Sequence, residues 1–328
     1  MARFLIKRLF SAALTLFAVS VLTFLMFFAL PRDPVTSICS KNCNPERLER
    51  VRDDLGLNDP LISQYAGYMK GIFTGRDLGS AQGGRCDAPC LGWSYVTNEA
   101  VSDTIARVLP VTLSIVIPAA ILWLLLGVGL GMVSALRRGT WLDRAAIGFS
   151  LTGASLQLYF VGAVLLLVFV YNLRWLPVPS YTSIFDNPVK WASGLVLAWV
   201  ALAFLFSAIY ARLSRAQMLE TLSEDFVRTA RAKGLAKPKV YGRHALRAAI
   251  TPVVTIAGMD VGGALGGTVI TETTFGIQGL GRTTVDAVRS GDLPTIMATV
   301  LIAAVFVVLA NVLVDLLYAA IDPRVRLR

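Results

Sequence analysis

The stretch Ile296–Ala320 decides the fold class, and it reads IMATVLIAAVFVVLANVLVDLLYAA. Asn311 and Asp315 are its strongly polar residues, and an apolar helix of about 20 residues spans the roughly 30 Å hydrocarbon core of a bilayer. Five other apolar stretches are long enough to do the same. The sequence therefore predicts an all-α polytopic membrane protein with six transmembrane helices, at about residues 9–30, 111–136, 145–171, 191–213, 250–274 and 296–320.

The composition supports a membrane protein and excludes two other classes. Of the 328 residues, 55% are hydrophobic and 16% are charged, whereas about 25% are charged in an ordinary soluble domain. The mean hydropathy is +0.64. A water-soluble protein of this size needs more polar surface, and so apolar a chain does not remain disordered in water.

The first apolar stretch, 9–30, has the alternative interpretation of a cleavable signal peptide. It is longer than the roughly 7–15 residues of a signal-peptide core, and the LPRDP sequence of Leu30–Pro34 does not resemble a cleavage site. We therefore expect it to remain in the protein as transmembrane helix 1.

The net charge of +10 is explained by membrane topology. Lys and Arg are concentrated at the N-terminus, in the 137–144 loop, in the 212–247 segment and in the C-terminal tail. The short loops on the opposite side hold four basic residues, Arg174, Lys190, Arg282 and Arg289. Because basic loops stay inside, both termini are predicted to be cytoplasmic. A nucleic-acid partner is therefore not expected.

The 31–110 segment between helices 1 and 2 is predicted to form a small extracytoplasmic subdomain. An oxidising compartment favours disulfides among its cysteines, and three connectivities are possible. A metal or redox site is the alternative, but the single histidine, His244, lies on the predicted cytoplasmic side, so no metal site is expected. The disulfide candidates are Cys39, Cys43, Cys86 and Cys90.

The sequence lacks the common motifs of nucleotide binding and hydrolysis. It contains no G-x-x-x-x-G-K-[ST] loop, no G-x-S-x-G and no H-E-x-x-H. One histidine in the chain also argues against catalysis by histidine. We therefore expect no catalytic residue, no bound cofactor and no enzymatic activity in this chain.

The segment 224–247, between predicted helices four and five, is the most informative for function. It reads as a short helix that Gly234 ends in a left-handed conformation, followed by a second helix with Pro238 in its first turn. The predicted apolar face consists of Phe226, Val227, Ala230 and Leu235. Such a face can dock into a groove of a soluble partner. The alternative is a basic loop that rests on anionic lipid.

This segment resembles the cytoplasmic loop of ABC-importer permeases, whose consensus is Glu-Ala-Ala followed, after three residues, by Gly. Arg228 and Thr229 depart from that consensus, but TARAKGL at Thr229–Leu235 is similar to the peptide and nickel branch. Further stretches resemble the first permease subunit of oligopeptide and dipeptide importers, and they lie at 30–34, 55–65, 137–143, 272–282 and 315–324. The stretches around the cysteines depart from that pattern.

The resemblance implies a type I permease of the bacterial cytoplasmic (inner) membrane that imports short peptides by alternating access. The implied partners are a second homologous permease, two cytoplasmic ATPases that bind ATP and Mg²⁺, an extracytoplasmic peptide-binding protein, the peptide substrate and membrane lipid. The residues implied to couple to an ATPase are Phe226, Val227, Arg228, Thr229, Ala230, Gly234 and Leu235. The predicted units are helix 1 (1–30), the extracytoplasmic subdomain (31–110), a permease core (111–320) with the coupling loop 214–249, and a tail (321–328).

Predicted helix five carries Asp260 and, at its end, Glu272. A charge at mid-bilayer costs about 2.5–3.5 kcal/mol on insertion scales, so such residues face a protein interior or water. The small residues Gly258, Gly262 and Gly266 are spaced by four and permit close helix packing. Candidate residues of a translocation pathway are Asp260, Gly263 and Glu272. The alternative for Asp260 is helix packing with a structural ion pair, and for Glu272 it is solvation or docking near the outer interface.

Three other functions stay open on the sequence alone. The same machinery can import nickel or another small solute. An ion-coupled secondary transporter would use Asp260 and Glu272 as proton carriers and would need no ATPase. A receptor or membrane anchor would act through the subdomain that contains the cysteines.

Overall fold

The protein is mostly helical in its computed structural model, which describes residues 2–28, 59–77, 85–94 and 96–321. The helices are α1 (Ala2–Phe28), α2 (Leu61–Thr74), α3 (Val101–Leu136), α4 (Trp141–Ser155), α5 (Leu158–Leu165, continued by a π-helix over Leu166–Asn172), α6 (Pro188–Ser223), α7 (Asp225–Ala232), α8 (Lys237–Lys239, continued by a π-helix over Val240–Ala245), α9 (Leu246–Leu265), α10 (Val269–Phe275), α11 (Leu280–Ser290) and α12 (Leu293–Ile321). Two short antiparallel pairs precede α3: β1 (Arg76–Asp77) with β2 (Arg85–Cys86), and β3 (Trp93–Ser94) with β4 (Glu99–Ala100). Cys39, Cys43 and the tail residues 322–328 lie outside the described residues.

The predicted set of six membrane spans is confirmed, with a correction to the third. Within the described residues, five helices are long and apolar enough to span a membrane, and α4 with α5, bent by 102° between them, is the sixth candidate span. The third span, predicted as one helix over 145–171, is therefore broken. Leu156 and Gln157 adopt extended backbone, with ψ of 145° and 144°, so the helical hydrogen bonds stop there.

The fifth span also differs from its prediction of 250–274. It comprises α8 and α9 together and ends at Leu265. Gly267 ends it because its φ of 136° is outside the helical region, and a Cβ there would lie 2.9 Å from the Cα of Gly281. The remaining predicted residues form the separate short helix α10.

The central core lies between α3 and α6. Trp123 of α3 and Tyr210 of α6 are fully buried there. Two glycines of α3 allow the close approach: a Cβ on Gly127 would lie 2.5 Å from Tyr210 Cβ, and a Cβ on Gly131 would lie 2.5 Å from the carbonyl oxygen of Ala211. Backbone-to-backbone packing of this kind replaces side-chain filling in membrane helix pairs.

The glycines of α9 pack against α12, as their spacing predicts. A Cβ on Gly262 would lie 2.6 Å from Ala310 Cβ, and one on Gly266 would lie 3.0 Å from Ala303 Cβ. Gly258 faces Val314 in the same way. One face of α9 is therefore occupied by α12. The other faces of α9 contact α6 and α3 or remain open.

Candidate functional site

The short helix α7 is attached to the helix bundle through part of its predicted apolar face. Val227 is fully buried and Ala230 is buried, both in a cluster formed by the ends of the long helices. The cluster also contains Ala135, Met218, Val240, Ala245 and Ala249. These two residues therefore hold α7 in place on its own chain.

The rest of the predicted coupling set remains accessible. Phe226 is 46% exposed, and Arg228, Thr229 and Gly234 are exposed, whereas Leu235 is half-buried against the cluster. An exposed aromatic side chain on an anchored helix is a typical contact residue for a partner. The structure thus separates the seven predicted residues into an anchoring part and an exposed part. We call the exposed residues on the helix itself, Phe226, Arg228 and Thr229, the α7 outer face.

Gly234 ends α7 in the left-handed conformation that its position predicts. Its φ is 74°, its N–H donates to Arg231 O at 2.9 Å, and the N–H of Leu235 donates to Ala230 O at 3.3 Å. This is the hydrogen-bond pattern of a glycine-capped helix end. Pro238 lies in the first turn of the next helix, also as predicted.

We expect Gly234→Val to loosen the end of α7, whereas Gly234→Asn keeps it. No atom lies within 4 Å of a Cβ at this position, so the cost is backbone strain alone. The left-handed conformation costs an L-residue roughly 1–2 kcal/mol, and asparagine tolerates it better than valine does. Hydrogen exchange of the Leu235 amide should accelerate about tenfold in the valine variant. Equal exchange in the two variants would contradict this role of Gly234.

A polar network joins three of the long helices, α3, α4 and α6. Arg215 of α6 donates from Nε to Asp143 Oδ1 at 2.8 Å and from Nη2 to Asp143 Oδ2 at 3.1 Å. Ser134 of α3 donates to Asp143 Oδ1 at 2.6 Å, and the Gly139 amide donates to Oδ2 at 2.9 Å. The carboxylate of Asp143 is buried but fully paired. Sequence reasoning missed this network, although Asp143 belongs to one of the stretches with the family resemblance.

Asp260 lies on α9 and is half-buried. Its Oδ2 accepts a hydrogen bond of 2.6 Å from the hydroxyl of Tyr210 on α6. Gly263, one turn further along, has no atom within 4 Å of a Cβ position, so this side of α9 is open. The two predicted pathway residues of α9 therefore lie next to each other at the border between packed and open surface.

Glu272, the third predicted pathway residue, is fully buried on α10. Its Oε1 accepts from Thr112 Oγ1 at 2.8 Å and from Thr268 Oγ1 at 3.3 Å, and its Oε2 accepts from the Arg282 amide at 2.7 Å. Burial raises the pKa of Glu272 above its ordinary value, and these hydrogen bonds oppose that shift. In this structure the carboxylate fixes the 276–279 loop and the first turn of α11 against α3, and it does not face an open space.

The loop held by Glu272 forms one wall of a cavity. Residues 276–278 line a space of about 400 Å³, and its opposite walls are residues 179–181 and, on α3, Arg107, Val108 and Val111. Thr112 links both sides, because its hydroxyl donates to Glu272 and also accepts from the Leu280 amide at 2.8 Å. The network therefore determines the shape of this end of the bundle.

We expect Thr112→Val to free the Leu280 amide. The variant keeps the size of the side chain but removes the acceptor of that N–H, and a buried donor without a partner costs about 1–3 kcal/mol. Hydrogen exchange of Leu280 should accelerate at least about tenfold. Thr284→Val is the matched control, because the Thr284 hydroxyl bonds to the Leu280 carbonyl and not to its amide. Unchanged exchange in Thr112→Val would show that the Glu272 network does not hold the loop.

The described part of the 31–110 segment is attached to the same end of the bundle. Ser94 donates to Asp292 Oδ2 at 2.6 Å just before α12. Glu99 accepts from Thr104 and from Arg107 of α3, each at 2.6 Å, and the Arg107 guanidinium holds the pKa of Glu99 below its ordinary value. These bonds connect the segment to α3 and α12.

The structure selects one of the possible cysteine pairings. Cys86 and Cys90 form a disulfide with an S–S distance of 2.06 Å, and both residues are buried. The prediction of disulfide chemistry is therefore confirmed for this pair. Cys39 and Cys43 stay as predicted disulfide candidates.

The fold is a bundle of membrane-spanning helices with a carboxylate among them and an anchored amphipathic helix at one end. The chain belongs to the family described as binding-protein-dependent transport system inner membrane component, whose profile matches residues 127–327. The profile of the N-terminal part of such membrane components matches residues 1–116. The protein is thus a multi-pass protein of the bacterial inner membrane, and the predicted family is confirmed.

Curated relatives resemble the chain over almost its whole length. A putative peptide transport system permease protein of Brucella abortus (strain 2308) is 34% identical over 326 residues, which are 99% of each chain. The probable peptide ABC transporter permease protein y4tP of Sinorhizobium fredii is also 34% identical, over 99% of this chain and 100% of its own. The glutathione transport system permease protein GsiC of Escherichia coli O6:H1 is 36% identical over 99% of each chain.

Proposed function

We propose that this chain is a permease subunit of an ABC importer that carries short peptides across the inner membrane by alternating access. The names of the full-length relatives support this cargo, because they describe peptide transport or transport of glutathione, which is itself a tripeptide. The observation that carries the mechanism is the position of α7. It is anchored by Val227 and Ala230 and presents Phe226 outward.

The energy comes from separate subunits in this proposal. Two cytoplasmic ATPases bind ATP and Mg²⁺ and dock on the 224–235 segment, where the α7 outer face enters a groove of the ATPase. The sequence has no phosphate-binding loop of its own, which agrees with hydrolysis by a partner. A second homologous permease completes the pathway, and an extracytoplasmic peptide-binding protein delivers the cargo.

The network around Asp143 and Arg215 supports a mechanical link from α7 to the membrane helices. It joins α3, α4 and α6 by a two-point ion pair, which is geometrically more specific than a single hydrogen bond. Because α7 packs in one cluster with Ala135 of α3 and Met218 of α6, we expect its movement to reach the helices that this network joins. Alternating access needs such a rigid unit on each side of the pathway.

Uptake by the purified transporter tests the cargo. Proteoliposomes that contain this permease, the second permease and the ATPases should accumulate a labelled tripeptide when ATP and the loaded binding protein are supplied. Accumulation should persist with a protonophore present and in excess nickel. Uptake of nickel in place of the peptide, or uptake that a protonophore abolishes, would instead support one of the alternative functions.

A further inference from the structure

Within the described part of the chain, one carboxylate oxygen of Asp260 accepts a hydrogen bond and the other accepts none. Oδ2 accepts from the Tyr210 hydroxyl at 2.6 Å. Among the described residues, no second hydrogen bond reaches this carboxylate and no lysine, arginine or histidine pairs with it. The charge of Asp260 is therefore oriented by a neutral donor and is not neutralised by the residues that the structure describes.

Tyr210 lies where α3 and α6 approach each other closely. The residue is fully buried, and α3 approaches so closely at Gly127 that a Cβ there would lie 2.5 Å from Tyr210 Cβ. The backbone of Tyr210 therefore stays at this place in the core, and burial on all sides restricts the phenol. Its single hydroxyl proton holds Oδ2 and leaves Oδ1 for another donor.

Asp260 borders the open side of α9. Met259 is 51% exposed, and no atom lies within 4 Å of a Cβ on Gly263. The face of α9 that packs on α12 is a different one, marked by Gly258 and Gly262. A carboxylate inside the membrane faces a protein interior or water and not lipid, so this open side is the edge of a pathway or an interface.

We propose that Asp260, positioned by Tyr210, binds the free α-ammonium group of the peptide during translocation. This inference rests on the proposed function, because it needs a peptide as cargo. An ammonium group carries a full positive charge, and one of its three N–H donors can bond to the free carboxylate oxygen. Tyr210 holds the other oxygen, Oδ2, and so acts as a positioning residue.

The test compares Asp260→Asn and Tyr210→Phe with the wild type in the complete reconstituted transporter. Asparagine keeps the size of the side chain and removes the charge, and phenylalanine keeps the ring against Gly127 and removes the hydroxyl. The measured quantities are uptake of a tripeptide with a free amino terminus, uptake of its N-acetylated form, and peptide transported per ATP hydrolysed. We expect Asp260→Asn to lower uptake of the free peptide and the peptide-to-ATP ratio roughly tenfold, as for the loss of one hydrogen bond to a charged group.

The same variants should leave the acetylated peptide within about twofold of wild type if the wild type carries it, and Tyr210→Phe should show a smaller loss of the same kind. If the wild type does not carry the acetylated peptide, the test is the number of free peptides transported per ATP hydrolysed, which should fall in Asp260→Asn. An equal loss for both peptides, or a loss of ATP hydrolysis in step with uptake, would overturn the inference and indicate a structural bond to the second permease. Unchanged uptake would also overturn it. Failure of the wild type to carry any peptide would refute the proposed function instead.

Discussion

Phe226→Asp is expected to abolish ATP-driven uptake while the permease stays folded in the membrane. Phe226 is 46% exposed, so a carboxylate at this position does not disturb the core. If the ring enters a groove of the ATPase, its loss costs at least about 2 kcal/mol of docking free energy, a roughly 30-fold weaker contact. The measurement is peptide uptake together with the amount of ATPase that remains bound to the purified permease.

Phe226→Leu is the matched control for this prediction. Leucine keeps an apolar side chain at the same place and should retain most of the uptake. Val227→Asp provides the contrast, because the Val227 side chain is fully buried. This variant should lower the amount of folded permease and not only its coupling to the ATPase. Normal uptake by Phe226→Asp would show that the α7 outer face does not contact the ATPase.

Gly131→Leu should prevent the permease from folding. A Cβ at this position would lie 2.5 Å from the Ala211 carbonyl oxygen and 2.9 Å from the Arg215 backbone nitrogen, and neither backbone atom can move aside cheaply. Overpacking costs about 1–3 kcal/mol where side chains can adjust, and a backbone clash costs more. Separation of α3 from α6 would also disrupt the pairing of Arg215 with Asp143.

Gly129→Leu is the control for Gly131→Leu. Gly129 lies on the same helix, and no atom is found within 4 Å of its Cβ position. The yield of monodisperse protein after extraction in detergent should therefore fall sharply for Gly131→Leu and stay near wild type for Gly129→Leu. Similar yields for both variants would mean that α3 and α6 are not in this close contact.

The membrane spans could be predicted because apolar length alone determines them. The break within the third span could not, since neither Leu156 nor Gln157 is a residue type that interrupts helices on its own. The end of the fifth span depends on how Gly267 packs against Gly281, a contact that appears only after the chain has folded. Local signals therefore predicted the existence of the spans better than their ends.

The candidate site was predictable to a similar degree. Gly234 was identified because a glycine after a helix with a basic end has a specific backbone role. The division of the α7 residues was not predictable, since Phe226 and Val227 are both apolar and only the position of α6 and α9 decides which one is buried. The partner of Asp260 lies on another helix at Tyr210, and a single sequence contains no signal for that pairing.

The central claim is that a separate ATPase drives this permease through α7. The most direct measurement compares peptide accumulation in proteoliposomes that contain both permeases, the binding protein and the peptide, with the ATPases either present or omitted. We predict accumulation against the gradient when the ATPases and ATP are present, and none when the ATPases are left out. Accumulation without them, under an imposed proton gradient, would contradict the account.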